Sequence, residues 1–168
     1  CESKETLAGS IAEKIIKILD DYNIMHKDVV VLGETIKLLR DIESAYTSMT
    51  QFSCMTNFET AEQYEQIMNG RYKEENLDDV RRAAKTHFTT DCDEIKMSTI
   101  HSFKGWESKT VVLVLQSKSQ RSIESDEPHA PNNAALIYTA LTRARCNLFI
   151  INLGNKVYDE FFRENVVD

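Results

Sequence analysis

The chain predicts an α/β layered domain built on a mostly parallel sheet, and three observations carry that expectation. Short aliphatic runs alternate with amphipathic segments of helical length along most of the 168 residues, the order produced when parallel strands are joined by helices. The stretch "TVVLVLQ" (110–116) is apolar on both faces of a strand, which suits a sheet covered on both sides. The length supports one hydrophobic core and would be a squeeze for two full domains.

The elements follow in order. From Thr6 to Tyr22, the residues Leu7, Ile11, Ile15, Ile18, Leu19 and Tyr22 recur at helical spacing and predict the first helix. "DVVVLG" (28–33) is a β-branched run closed by glycine, a buried strand. "ETIKLLRDIESAY" (34–46) carries a mostly apolar stripe and predicts a second helix. "QFSCMTNF" (51–58) allows a short strand. "TAEQYEQIMNG" (60–70) predicts a helix with Thr60 as its N-cap and Gly70 as its stop. A further helix is expected over 76–88, strands over 94–99 and 110–116, and a Ser-rich, charged loop over 117–133 that holds both prolines. Helical spacing returns over 134–144, a strand over 147–154 and a terminal helix over 156–165.

Composition narrows the function classes. The chain is 42% hydrophobic and 28% charged, ordinary globular values. A net charge of −7 does not describe an independent nucleic-acid binder, whose footprint is usually basic; any such contact must be local or shared with another domain. No window is long and apolar enough to cross a membrane, and no export signal opens the chain, so a cytoplasmic location is expected. The four cysteines form no CxxC and read as reduced, structural thiols. Residue 1 is Cys, not Met, which leads us to expect a fragment of a longer protein.

The chemistry concentrates in "STIHSFKGWESKTVVLVL" (98–115). In open parallel sheets ligands collect at the carboxyl ends of strands, so the loop after strand 94–99 is expected to present His101, Lys104, Gly105 and Glu107 there. Arg143 and Arg145 are expected near the end of the helix that feeds the next strand. Two residues apart on a helix they point in nearly opposite directions, so only one can aim at a given phosphate. Each residue alone has a plain structural reading: a solvated histidine, a surface Lys–Glu pair, a packing role for Trp106, arginines that complement a helix dipole.

The combination is more specific. "TIHSFKGWE" (99–107) resembles motif V of superfamily 1 helicases of the UvrD/Rep type, T-x-H-x-x-K-G-x-E before a strand. "IYTALTRAR" (137–145) resembles motif VI, Y-V-A/G-x-T-R-A, in the right order. The resemblance implies a RecA-like layered domain of the P-loop NTPase type, the C-terminal one of those motors, spanning 1–168 with a small helical insertion around 59–90. It implies a catalytic role for Arg143, whose planar fork would reach the γ-phosphate of ATP across an interdomain cleft. Gly105 and Glu107 would bind nucleotide, the carboxylate accepting from ribose hydroxyls. Thr99 and His101 would touch single-stranded DNA, and Lys104 would join the two halves of the motor.

What is missing defines the partner. None of the five glycines is followed by lysine, so there is no G-x-x-x-x-G-K-[ST] phosphate loop. No apolar strand ends in the Asp-Glu of a Mg²⁺ site, and no metal site is assigned to this chain. ATP with Mg is therefore expected to be held mainly by an N-terminal ATPase domain of the same protein, and this chain alone is not expected to hydrolyse ATP. Where motif IV of the family has an aromatic and an arginine, this chain has Gly33 and Glu34, with Arg40 the nearest arginine beyond. The stretch from Gly33 to Thr99 is too short for the large inserted domain of some family members. The alternative is a helicase-like module that has lost motor function and serves as a non-catalytic interaction surface. An independent dinucleotide-binding domain is disfavoured because no glycine-rich turn follows the first strand.

Overall fold

The structure is a computed structural model that describes residues 6–70, 76–117 and 133–165. Five parallel strands, β1 (Val29–Gly33), β2 (Cys54–Thr56), β3 (Ile95–Thr99), β4 (Ser108–Gln116) and β5 (Ala144–Leu153), form one sheet in the order β2-β3-β1-β4-β5. The helices are α1 (Leu7–Asp21), α2 (Ile36–Thr50), α3 (Ala61–Met68), α4 (Leu77–His87), α5 (Asn133–Leu141) and α6 (Lys156–Asn165). The α/β layered class expected from the sequence, a parallel sheet flanked by helices, is the one observed.

Alternation along the strands explains why both faces are covered. Val29 and Val31 of β1 and Val112 and Val114 of β4 pack under α1 and α2, with Ile11, Ile15, Leu39, Ile42 and Tyr46. Val30 and Leu32, with Val111, Leu113 and Leu115, enter a second core on the other face, closed by Phe88, Ile100, Phe103, Ile137 and Ala140. Every residue of β1 is buried, the expected state of the central strand.

Caps set most helix starts. Thr6, Thr35, Thr60 and Asn76 each accept a backbone N–H at the head of α1, α2, α3 and α4. At α3 the cap is reciprocal, Gln63 returning a bond to the Thr60 N–H. Thr35, as the N-cap, explains why α2 begins at Ile36, two residues later than the expected segment 34–46.

The largest departure lies between α5 and β5. Helical spacing extends to Ala144, yet α5 ends at Leu141 and β5 already begins at Ala144, which pairs with Ser108. Pairing with β4 overrides the local pattern, so Arg143 sits in a tight turn and Arg145 in a strand. The reasoning that placed both arginines on one helix therefore does not apply. The expected loop over 117–133 falls almost wholly outside the described residues.

Candidate functional site

The site is built by one loop that crosses from one edge of the sheet to the other. Thr99 pairs with Gly33 at the carboxyl edge, and the Ile100 N–H donates to the Gly33 carbonyl (3.0 Å). The chain then coils through successive turns. The Phe103 N–H donates to the Thr99 carbonyl (3.1 Å) and the Trp106 N–H to the Phe103 carbonyl (3.1 Å), while Thr99 Oγ1 accepts from the Ser102 N–H (3.3 Å). Ile100 and Phe103 are fully buried in the second core. They pin the loop and leave His101, Lys104, Gly105, Trp106 and Glu107 exposed.

Residue 108 begins β4, at the amino edge. Ser108 Oγ donates to the Asp28 carbonyl (2.9 Å) just before β1, and Lys109 forms an ion pair with Asp28 (3.0 Å). Thr99 stands one residue beyond the Leu32–Leu113 pair, and Ser108 five residues before Leu113, so the loop ends are separated by about 20 Å of strand. The structure thus corrects the expected placement. The start of the loop occupies the carboxyl edge, with Thr99 and His101, whereas Glu107 reaches the amino edge. The reason is topological: β3 and β4 flank β1, so the connection must travel back across a face of the sheet.

Gly105 has φ = +93°, and a Cβ added there would meet nothing within 4 Å. Glycine is favoured there by backbone conformation, with no protein atom crowding it. At Gly33 the case is the reverse: an added Cβ would lie 2.9 Å from Leu39 Cγ, so the packing of α2 leaves no room for an aromatic at that position. Glu34 Oε1 accepts the Gln116 N–H (3.1 Å), at the opposite edge from Glu107.

Arg143 is stitched to the loop. The Ser108 N–H donates to the Arg143 carbonyl (3.0 Å). Its guanidinium donates from Nε to the Thr139 carbonyl (3.1 Å), from Nη2 to Thr142 Oγ1 (3.1 Å) and from Nη1 to the Trp106 carbonyl (3.4 Å). Arg143 is only half-buried, so it lies on an open rim beside the segment that carries Glu107. Between Ala144 and Asn147, β5 holds one residue more than its partner strand, a bulge that re-aims a side chain at the strand entrance. Arg145 in that bulge pairs with Glu107 at 3.8 Å, both side chains more than half exposed, a contact of little energetic weight.

A permanently charged guanidinium, Arg143, and an exposed carboxylate, Glu107, stand on one rim. A divalent cation finds no ligand set, since no group of three or more His, Cys, Asp or Glu side chains converges among the described residues. No helix among them is long and apolar enough to cross a membrane.

Arg40 is not available for a phosphate. It is buried, with Nη1 2.6 Å from Glu59 Oε1 and its guanidinium 3.6 Å from the Tyr64 ring centroid. Arg81 of α4 grips the same carboxylate with two bonds (2.7 and 3.0 Å). This Glu59 centre was not foreseen; the signal for it was an acidic residue between two apolar segments, which a pattern does not distinguish from a surface charge. Lys96 was likewise unforeseen. Its side chain lies inside β3 and donates to the Lys27 and Cys92 carbonyls, and burial lowers its pKa.

Residues 9–155 match the family described as the UvrD-like helicase C-terminal domain. Among solved structures, a similar one is the C-terminal domain of a possible DNA helicase from Lactobacillus plantarum WCFS1, at 10% identity and a TM-score of 0.49, covering 88% of this chain and 68% of that one. No match was found among curated proteins. The family match spans most of the chain, from α1 through the segment after β5, and includes both motifs: the chain belongs to the UvrD-like helicase C-terminal domain family.

Proposed function

We propose that this chain is the C-terminal motor domain of an ATP-dependent superfamily 1 DNA helicase, supplying an arginine finger and part of the single-strand DNA track. In this reading Arg143 donates to the γ-phosphate oxygens, Glu107 accepts from the ribose, and Gly105 gives the backbone turn that presents Glu107. Thr99 and His101 meet single-stranded DNA at the other edge, and Lys104 contacts the N-terminal ATPase domain of the same protein. That domain would hold most of the ATP and its Mg²⁺. The α3–α4 pair is then the small insertion.

The observation that supports the reading is the hydrogen bond from the Ser108 N–H to the Arg143 carbonyl. It joins motif V to motif VI and puts the proposed finger and ribose carboxylate on one rim, while the same loop begins at the opposite edge. Developing charge on transferring phosphoryl oxygens is stabilised by a fixed guanidinium, and removal of such a finger costs on the order of 10³-fold in turnover. The test is DNA-stimulated ATP hydrolysis by this chain joined to its N-terminal ATPase half. Arg143→Ala is expected to lower kcat by at least about 100-fold, and near-normal turnover would refute the finger role.

The non-catalytic reading has one observation in its favour: all three guanidinium nitrogens of Arg143 have partners within its own chain. The same assay separates the two. A joined wild-type protein with no DNA-stimulated hydrolysis would support an interaction module.

A further inference from the structure

We infer that Phe88 is a positioning residue for the proposed arginine finger, acting on Arg143 through Trp106; this rests on the reading that Arg143 reaches the γ-phosphate. The motifs assign neither aromatic a part. Phe88 lies outside both of them, and Trp106 stands at an open position of the T-x-H-x-x-K-G-x-E pattern.

The stretch between Phe103 and Ser108 is the least anchored part of the loop. Phe103 is buried in the second core, and Ser108 donates to the Asp28 and Arg143 carbonyls. The four residues between them, Lys104, Gly105, Trp106 and Glu107, are all exposed. Gly105 has no side chain to hold, and the Glu107 carboxylate meets Arg145 at 3.8 Å, with both groups open to solvent. Trp106 differs. Its ring meets Phe88 edge-to-face (centroids 6.1 Å apart, 87° between planes), and Phe88 meets Phe103 in the same manner (6.4 Å, 86°). Phe88 is itself buried, and it caps the end of α4, which Arg81 ties to the buried Glu59. The one ring of the exposed stretch therefore rests on a fixed support.

That support reaches the guanidinium in a single step. The Trp106 carbonyl accepts from Arg143 Nη1 (3.4 Å), and the Trp106 N–H donates to the Phe103 carbonyl (3.1 Å). Placing the Trp106 backbone thus places the acceptor that orients the fork. A donor aimed in advance needs no reorganisation as charge develops, and misplacing a catalytic group by about 1 Å can cost on the order of 100-fold in rate. Without Phe88 the exposed stretch loses its support, and the carbonyl no longer keeps one position.

The test is DNA-stimulated ATP hydrolysis by the chain joined to its N-terminal ATPase half, read as a double-mutant cycle. Phe88→Ala is expected to lower kcat by roughly 10- to 100-fold. Trp106→Ala should do the same, although its ring is 41% exposed and its removal leaves the core filled. Trp106→Phe should restore most of the turnover. In an Arg143→Ala background neither alanine variant should lower turnover further, because the group they aim is gone. Loss of folded enzyme would instead act by the same factor in both backgrounds. Equal factors in the two backgrounds, or normal turnover in Trp106→Ala, overturn the positioning role alone. Should Phe88→Ala not fold, the Trp106→Ala cycle decides by itself. If Arg143→Ala alone turns over normally, the finger reading falls, and this inference with it.

Discussion

Arg143 shows how a single side chain is both placed and restrained. Its backbone is fixed by Ser108 and its guanidinium by Thr139, Thr142 and the Trp106 carbonyl. A phosphate would have to draw Nη1 from the longest of these bonds, at 3.4 Å, near the limit at which such a contact contributes much. Gly105 works through conformation. A side chain at φ = +93° is strained in open space, so Gly105→Ala is expected to cost about 1–2 kcal/mol, checked by urea denaturation. Because the strain falls two residues before Glu107, ATP affinity of the joined protein should drop as well. An unchanged unfolding midpoint would show that the loop relaxes without cost.

Between elements, Glu59 is the main polar tie. Fully buried, it accepts from Arg40 of α2 and from Arg81 of α4, and Arg40 lies against Tyr64 of α3. One carboxylate thus links three helices, two of which contribute little apolar burial of their own: α3 and α4 contain no buried residue. Removing one partner of a buried pair leaves the other charge uncompensated. Glu59→Gln is therefore expected to lower stability by about 3 kcal/mol and to raise amide exchange first in α3 and α4. Loss of less than about 1 kcal/mol would mean that solvent reaches the arginines freely. The tie also explains why Arg40 cannot stand in for a phosphate-binding arginine. Its charge is already committed.

Over the whole molecule, the amino and carboxyl edges carry different chemistry, and residues 99–107 connect them. Thr99 is held at one edge by the Ser98 hydroxyl on its carbonyl (3.0 Å), which in turn accepts from Asn57 (2.6 Å). Glu107 is held at the other edge by the bonds of Ser108. Buried titratable groups tie global stability to alkaline pH. Burial pushes the Cys54 thiol from 9.0 up to about 12 and the Tyr46 hydroxyl from 10.0 up to about 12. Both fold as neutral acids that ionise earlier when unfolded, so their stabilisation is complete below pH 9 and falls as pH rises toward about 12. Lys96, with its pKa lowered by burial, contributes the opposite slope. The measurement is therefore a difference: unfolding free energy against pH for wild type and Cys54→Ala. The variant should lose the part of the decline that starts near pH 9 and keep the part due to Tyr46. Identical slopes would show that the thiol is solvated.

The fold class, the strands and helices, and the loop between the strands at 95–99 and 108–116 were legible in the sequence because they rest on local patterns. Alternation in "VVVLG" and "TVVLVLQ" requires cover on both faces whatever the strand order, and threonine or asparagine before an apolar stripe caps a helix on its own. The motif residues from Thr99 to Glu107 were legible as a group for the same reason. Which edge each of them occupies was not, since that depends on β3 and β4 flanking β1, a pairing between segments far apart in the chain. Tertiary pairing likewise ended α5 at Leu141 and opened β5 at Ala144, because backbone hydrogen bonds to β4 outweigh a few residues of helical spacing. The exposure of Trp106 and the burial of Glu59 and Lys96 belong to the same category. A residue's type sets what it can do, but its surroundings, assembled from distant parts of the chain, decide whether water or protein meets it.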